Sequence, residues 1–379
     1  MNEPKIRFKG FQGEWEKTTL GNSEFSIFAG GDIDKSIIKE KGKYPVIANA
    51  LTADGIIGYY DDYYRIKGPA VTVTGRGEIG HAQARHYNFT PVVRLLTILS
   101  PHNVDFLANA IDCCNVAQES TGVPQLTTEK LKEYSFRIPS IAEQQAISSY
   151  FTHLDSLITT SASRLASLKQ MKAASLQAMF PQEGETVPKI RFKGFEGEWE
   201  KVKADAIFKT INERNRPDLP VLSATQDKGM VTRESIGYNV FHDSSNEATY
   251  KHIRSGQFVI HLRSFQGGFA HSSIEGICSP AYTILEFKDK NVHDDLYWKY
   301  VLTSRHFIKS LELITYGIRD GRSISYEEFK EMYFLIPSLP EQQAIASYFT
   351  SLDKQIALQS QRLEKLKQIK SACLDKMFA

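Results

Sequence analysis

Residues 138–155 read IPSIAEQQAISSYFTHLD, and residues 336–353 repeat them as IPSLPEQQAIASYFTSLD with only four differences. A second pair of matching stretches precedes this one in the same order. Residues 4–17 read PKIRFKGFQGEWEK, and residues 188–201 differ from them only where Glu196 replaces Gln12. The chain is therefore an internal duplication, and its period of roughly 190 residues indicates a repeated domain rather than a solenoid of short repeats.

The stretches between these anchors differ between the two copies. The first pair of anchors is offset by 184 residues and the second by 198, so the second copy carries 14 more residues between its anchors. Two nearly identical frames therefore hold two different inserts. This arrangement favours a protein that does the same job at two places with a different specificity at each.

The composition is that of an ordinary globular protein, with 41% hydrophobic and 24% charged residues among 379,. This length predicts two or three domains, each large enough for its own core. The cysteines lack metal-ligand spacing and are expected to be reduced thiols in a cytoplasmic protein. No apolar run predicts a membrane span or a signal peptide. A net charge of +2 does not by itself indicate a nucleic-acid binder,.

Each copy opens with a basic, aromatic segment that we interpret as a short strand and turn, with its Lys and Arg side chains solvated and with Phe8, Phe11 and Trp15 packed. The inserts then contain short β-rich runs bounded by Gly, Asn and Asp, which predict strands. These predicted strands are PAVTVT at 69–74, RLLTIL at 94–99, QFVIHL at 257–262 and AYTILEF at 281–287. Short helices are predicted near 103–118 and 292–314.

Each copy closes with a heptad pattern. Its apolar positions fall at Ile147, Phe151, Leu154, Ile158, Leu165 and Leu168, and at Ile345, Phe349, Leu352, Ile356, Leu363 and Leu366. The position that interrupts each seam is polar, Ser161 or Gln359. The spacing predicts two helices of about 40 residues, roughly 60 Å long. Each helix could pack on its own domain, but so narrow a stripe favours packing of the two helices on each other.

The RFxGFxGEW opening, the IPSxxEQQAI entry to a long helix and the duplication resemble the specificity subunit of type I restriction-modification systems. The resemblance implies an α/β (α+β) fold in which two mixed α/β target-recognition domains are joined by two long antiparallel coiled-coil helices with a pseudo-two-fold. In that family each recognition domain reads one half of a split DNA target. The predicted segments are 1–140 (first recognition domain), 141–180 (first spacer helix), 181–187 (linker), 188–338 (second recognition domain) and 339–379 (second spacer helix).

The GRGEIG run at 75–80 follows a predicted strand and resembles a dinucleotide-binding loop. The residues after it are polar and end in a proline, and no carboxylate lies about 20 residues on, so we disfavour that interpretation. Such a loop suits base reading, with an ordinary solvated hairpin as the alternative. The candidate DNA-binding residues are Arg76, His81, Gln83 and Arg85 in the first copy, and Arg263, Ser264, Gln266, His271, Arg319 and Arg322 in the second.

The resemblance implies that the helices dock partner subunits. The candidate spacer and partner-binding residues are Glu143, Gln144, Gln145, Phe151, Leu154 and Ile158, and Glu341, Gln342, Gln343, Phe349, Leu352 and Ile356. The expected partners are double-stranded DNA, two modification (methyltransferase) subunits and the restriction/translocase subunits, with AdoMet bound by the modification subunits. We expect no cofactor, metal or catalytic site in this chain.

Two other hypotheses stay open. One is a coiled-coil adaptor whose domains bind proteins rather than DNA, and the other is an enzyme with an unrecognised site. Asp218 with Glu328 and Lys330 could belong to a nuclease, but these residues are widely scattered. The acidic pairs at 61–62 and 294–295 are more typical of helix caps and solvated turns than of a metal site.

Overall fold

The computed structural model describes residues 3–114, 125–225, 228–236, 247, 249–261, 268–314 and 325–378. It divides into two compact units. Unit 1 consists of Met1–Ser163 and Ser360–Ala379, and unit 2 consists of Arg164–Gln359. The divisions fall inside the two long helices, so each unit combines the body of one copy with the end of the other copy's helix. The domain boundaries drawn from the sequence stay a prediction.

Unit 1 is built on an antiparallel four-stranded sheet of order β2-β8-β5-β6, beside a three-stranded sheet β4-β3-β7 and a two-stranded ladder β1-β9. All five residues of β5 are buried, as expected for a run rich in β-branched residues,. The elements are β1 (Glu16–Thr19), β2 (Ser26–Ala29), β3 (Tyr44–Ile47), β4 (Ile56–Tyr60), β5 (Ala70–Thr74), β6 (Ala82–Arg85), β7 (Thr90–Pro91), β8 (Leu95–Leu99), α1 (Val104–Asp112), α2 (Thr128–Lys132), β9 (Ser135–Ile138) and α3 (Ile141–Ala178), which continues into unit 2.

Unit 2 repeats this plan with a sheet of order β11-β18-β15-β16 and a ladder β10-β19. Helix α5 packs against β16 as α1 packs against β6. The small sheets differ from those of unit 1, being β12-β13 and β14-β17. The elements are β10 (Glu200–Lys203), α4 (Ala204–Ile207), β11 (Phe208–Ile211), β12 (Leu222–Thr225), β13 (Gly229–Thr232), β14 (Lys251–Ile253), β15 (Phe258–Ile260), β16 (Phe269–His271), β17 (Gly276–Cys278), β18 (Thr283–Phe287), α5 (Asp295–Leu302), α6 (Arg305–Ile314), α7 (Tyr326–Phe329), β19 (Tyr333–Ile336) and α8 (Leu339–Phe378), which ends in unit 1.

The main core of each unit includes the end of the other copy's helix. In unit 1, Trp15 and Phe151 are buried together with Met377. In unit 2, Trp199 and Phe349 are buried with Met179. Fully burying a side chain of this size contributes about 1.5–3 kcal/mol relative to leaving it exposed. Neither core is therefore complete without residues from both copies.

Within unit 1, the start of α3 pairs with the end of α8. Tyr150 Oη lies 3.5 Å from Cys373 Sγ, and Lys370 Nζ lies 2.6 Å from Asp155 Oδ1. Residue numbers rise along one helix as they fall along the other, so this pair is antiparallel. The opening segment reaches the same helix end, because the amide of Ile6 donates to the carbonyl of Lys376 at 3.3 Å.

Unit 2 contains the matching set of contacts between the end of α3 and the start of α8. Ser175 Oγ lies 2.9 Å from Tyr348 Oη, and Lys172 forms an ion pair with Asp353. The amide of Ile190 donates to the carbonyl of Ala178 at 2.9 Å. Each contact is the counterpart, in the other copy, of one in unit 1. The sequence allowed each helix to pack either on its own domain or on the other helix, and each interpretation is correct in part. The start of each helix packs on its own domain, and the same helix also packs against the other one.

The predicted strands are observed as β5, β8, β15 and β18, and short helices lie within both predicted ranges. The opening segment is different from the prediction, because the described residues before Glu16 form turns and no strand. Phe8 and Trp15 contact the core of unit 1, as expected. Phe11 is partly exposed and is not a member of that core, so its predicted packing is wrong.

Candidate nucleic-acid interface

Residues 75–81 form a hairpin loop that joins β5 to β6. Thr74 fixes this loop, since its Oγ1 donates to the carbonyl of Glu78 at 2.5 Å and accepts from the amide of His81 at 3.0 Å. Gly77 and Gly80 have φ values of +76° and +84°, a region that favours glycine,. A dinucleotide-binding loop would lead into a helix. This loop leads into an antiparallel strand, which agrees with our rejection of that interpretation.

Arg76 projects from this loop into solvent on a fixed backbone. Asn49 holds the loop from both sides, donating through Nδ2 to the Arg76 carbonyl at 2.6 Å and accepting from the Gly75 amide at 2.6 Å. A Cβ at Gly75 would lie 2.4 Å from the Arg94 carbonyl, so glycine is required there. Within the described residues, the Arg76 guanidinium forms no ion pair or hydrogen bond. It is available for a bidentate contact with a guanine edge or a phosphate.

His81 and Gln83 continue this surface along β6. His81 is exposed, and its Nδ1 lies 3.5 Å from Asp112 Oδ1. The same carboxylate oxygen accepts from the Ala82 amide at 2.6 Å, and burial raises the pKa of Asp112. Gln83 is half-buried and donates through Nε2 to Asp54 Oδ1 at 3.1 Å. Both side chains lie at the surface with one anchoring contact each.

Arg85 and His271 are not in the exposed loops, where the sequence had placed them. Arg85 is only 3% exposed and donates through Nε to Thr72 Oγ1 at 3.0 Å. His271 is 6% exposed, and its Nε2 lies 2.7 Å from Asp295 Oδ2, whose pKa is lowered chiefly by this hydrogen bond. Both are strand residues whose side chains brace the sheet. Their contact with DNA stays a prediction.

The remaining candidates of the second copy lie outside the described residues. These are Arg263, Ser264, Gln266, Arg319 and Arg322. The first three belong to the connection between β15 and β16, which hold the same sheet positions as β5 and β6. The two variable loops therefore connect equivalent strands.

The duplicated anchors meet in a buried ion pair in each unit. Arg7 donates through Nε and Nη2 to the two carboxylate oxygens of Glu143, both at 2.7 Å. Arg191 binds Glu341 in the same bidentate way, again at 2.7 Å. Both glutamates are 1% exposed. The prediction that the arginines of the opening segments are solvated is wrong, because Arg7 and Arg191 are largely buried against these glutamates. The repetition of an arginine and a glutamate in both copies is the sequence signal that could have indicated the pairs.

The neighbouring glutamines bind the rest of the domain. Gln144 accepts from the amide of Asn103, the N-cap of α1, at 3.1 Å, and Gln342 accepts from the amide of Asp294, the N-cap of α5, at 3.0 Å. Glu143, Gln144, Glu341 and Gln342 thus face inward, whereas direct contact with a partner would require exposed side chains. Their role in partner binding stays a prediction.

The other predicted spacer residues occupy three environments. Gln145 and Gln343 are exposed, Phe151, Leu154, Phe349 and Leu352 are buried, and Ile158 and Ile356 are half-buried. The buried members belong to the helix seam, so the exposed glutamines are the ones that a partner could reach directly.

The acidic residues that could suggest catalysis have local structural roles. Asp294 caps α5 by accepting from the Tyr297 amide at 2.8 Å, and Asp218 pairs with Arg216 at 2.9 Å. In the part of the chain that the structure describes, no three His, Cys, Asp or Glu side chains are grouped as metal ligands. Among the same residues, no helix is both long and apolar enough to cross a membrane.

The family model for the type I restriction modification DNA specificity domain matches residues 12–170 and 196–368. The fold is similar to the crystal structure of a type I restriction-modification system S subunit from M. genitalium, with a TM-score of 0.62, 16% identity, and coverage of 100% of this chain and 99% of that one. The crystal structure of the HsdS subunit from Thermoanaerobacter tengcongensis aligns at 14% identity and a TM-score of 0.46, covering 96% of each chain. No curated protein sequence matches this chain.

Proposed function

This chain belongs to the type I restriction modification DNA specificity domain family, and we propose that each of its two copies reads one half of a split DNA target. One observation carries this proposal. Two sheets of the same strand order lie in nearly identical frames, and the loops that join equivalent strands differ in sequence. A fixed scaffold with variable loops is the arrangement that two different half-sites require.

Under this proposal, Arg76 and the neighbouring His81 and Gln83 face the first half-site, and the loop that carries Arg263 faces the second. The long helices set the separation of the half-sites and dock two modification subunits. Those subunits supply AdoMet and methyl transfer, and a restriction/translocase subunit completes the assembly. The chain itself is non-catalytic. A modest net charge of +2 fits a subunit whose partners share the phosphate contacts,.

The test of the proposal is sequence-specific DNA binding by the chain together with its modification subunits. We expect binding to one split sequence to weaken steeply with salt, and methylation of host DNA to map to that sequence. An adaptor that binds only proteins would show neither effect. Methyl transfer by the purified chain alone would instead identify it as an enzyme.

We expect Arg76→Ala to relax discrimination at one position of the first half-site by about 1–3 kcal/mol, because a bidentate contact to a base edge is lost. Arg263→Ala should relax the second half-site and serves as the reciprocal control. Binding to a panel of single-base variants of the target measures both effects. An equal loss on every sequence would make these residues phosphate contacts, and no loss would exclude the loop from DNA reading.

Inserting four residues after Ser161 and four after Gln359 should change the preferred separation of the half-sites but not their sequences. The two positions are equivalent in the two copies, so both helices lengthen together and the ion pairs on either side keep their partners. Four helical residues add about 6 Å, roughly one or two base pairs of DNA. The preferred separation is measured on targets with graded spacing. An unchanged preference would show that the helices do not set it.

A further inference from the structure

Each copy carries an exposed turn, Lys9–Glu14 in the first and Lys193–Glu198 in the second, which we name the frame turn. The two turns are identical except that Glu196 replaces Gln12. The two glycines of each turn have φ between +80° and +103°, and no atom outside the turn lies within 4 Å of where a Cβ would be. The glycines are therefore explained by backbone conformation and not by close packing.

The frame turn is hydrogen-bonded to the arginine that binds the start of the long helix. Arg7, which binds Glu143, also donates through Nη1 to the carbonyl of Gly13 at 2.6 Å and through Nη2 to that of Gln12 at 3.1 Å. Arg191 makes the matching bonds in unit 2, at 2.6 and 3.2 Å. The arginine of the ion pair therefore holds the turn through main-chain carbonyls. A turn of any sequence would supply these carbonyls, so the bonds do not explain why the side chains of the turn are repeated.

The phenylalanines and lysines of the frame turn lie outside the main cores and form no polar or ring contact that would explain their repetition. Phe11 and Phe195 are partly exposed and are members of neither main core. Lys9 and Lys193 are exposed. Within the described residues, none of these four side chains forms an ion pair, a hydrogen bond or a ring contact. The two inserts differ in sequence and in length, yet these four residues are the same in both copies.

We propose that the frame turn is a docking surface for a protein that binds once to each copy, with Phe11 and Phe195 as the aromatic anchors. A partly exposed aromatic side chain on a turn that is fixed by hydrogen bonds fits an apolar pocket on a partner, and the adjacent lysine fits an acidic edge of that pocket,. The inference rests on the proposed function, under which this partner is the modification subunit. DNA fits less well, because each turn places a glutamate as well as a lysine at the surface,.

The experiment uses the full chain co-expressed with its modification subunits and weighs the intact complexes by native mass spectrometry. We expect two modification subunits on the wild type, one on Phe11→Ala, one on Phe195→Ala, and weakening of binding by about tenfold or more at both sites in the double variant. Phe28→Ala is the matched control, because Phe28 is 45% exposed but lies in the insert and has a threonine at the equivalent strand position. This control should keep both subunits.

A double variant that keeps both subunits with unchanged affinity would overturn the inference. So would a fall in its thermal unfolding midpoint with no effect on assembly, since the phenylalanines would then be structural. If the double variant keeps both subunits but loses DNA affinity, the turn is a DNA contact instead. As a second probe, Lys9→Glu with Lys193→Glu should also weaken assembly. A wild-type chain that binds neither modification subunits nor DNA would refute the proposed function itself and is distinguishable from all of these outcomes.

Discussion

Replacing residues 18–137 by residues 202–335 should give a folded protein that directs its modification subunits to methylate a palindromic split target built from the second half-site. The structure supports these junctions, because they fall at equivalent points of the two-stranded ladders that close each insert. Lys17 pairs with Arg137 in the first ladder, and Lys201 pairs with Leu335 in the second. The exchange therefore retains the strand register on both sides of the graft, and the buried ion pairs of both frames remain outside it.

Palindromy follows from the pseudo-two-fold proposed for the duplicated frame, because two identical readers related by such an axis face opposite DNA strands. Sequencing of methylated DNA from cells that carry the chimera measures the target directly. The reciprocal exchange, with residues 202–335 replaced by residues 18–137, is the matched control and should give the palindrome of the first half-site. A partner-bound chimera that still modified the original asymmetric target would refute the assignment of one insert to one half-site.

The parts of the fold that sequence patterns predicted are those governed by local periodicity. The β-branched run of β5 and the heptad seams of α3 and α8 lie where the patterns placed them, because burial of regularly spaced apolar residues dominates these elements,. The hairpin at residues 75–81 was only the alternative interpretation from the sequence, although its glycines favour such a tight turn,.

The contacts that sequence patterns missed join residues far apart in the chain. Arg7 and Glu143 are separated by 136 positions, and Tyr150 and Cys373 by 223. The local spacing of apolar residues carries no information about contacts between such distant positions. Arg85 shows a second limit, since an arginine is usually exposed, and its burial here depends on hydroxyl groups from Thr72 on the neighbouring strand and from Tyr87,.

Arg7→Ala should destabilise the isolated chain by about 3–5 kcal/mol, because it leaves the carboxylate of Glu143 buried without its bidentate partner. Glu143 is 1% exposed, and the substitution removes the guanidinium that both of its carboxylate oxygens bind,. The substitution also releases two carbonyls of the frame turn, which should weaken docking of the modification subunit at that copy. Thermal and denaturant unfolding of the full chain measure the first effect, and assembly with the modification subunit measures the second.

Three further variants distinguish the effect of losing this ion pair from a general loss of stability. Lys9→Ala changes an exposed side chain of the same turn that has no internal partner, and should alter stability by less than about 0.5 kcal/mol. Arg191→Ala removes the equivalent pair with Glu341 and should cost as much as Arg7→Ala, since the two pairs share the same distances and burial. Adding Glu143→Ala to Arg7→Ala should recover part of the loss, because the unpaired charge disappears with the carboxylate. Additive costs for the two substitutions would show that the ion pair contributes nothing specific to the frame.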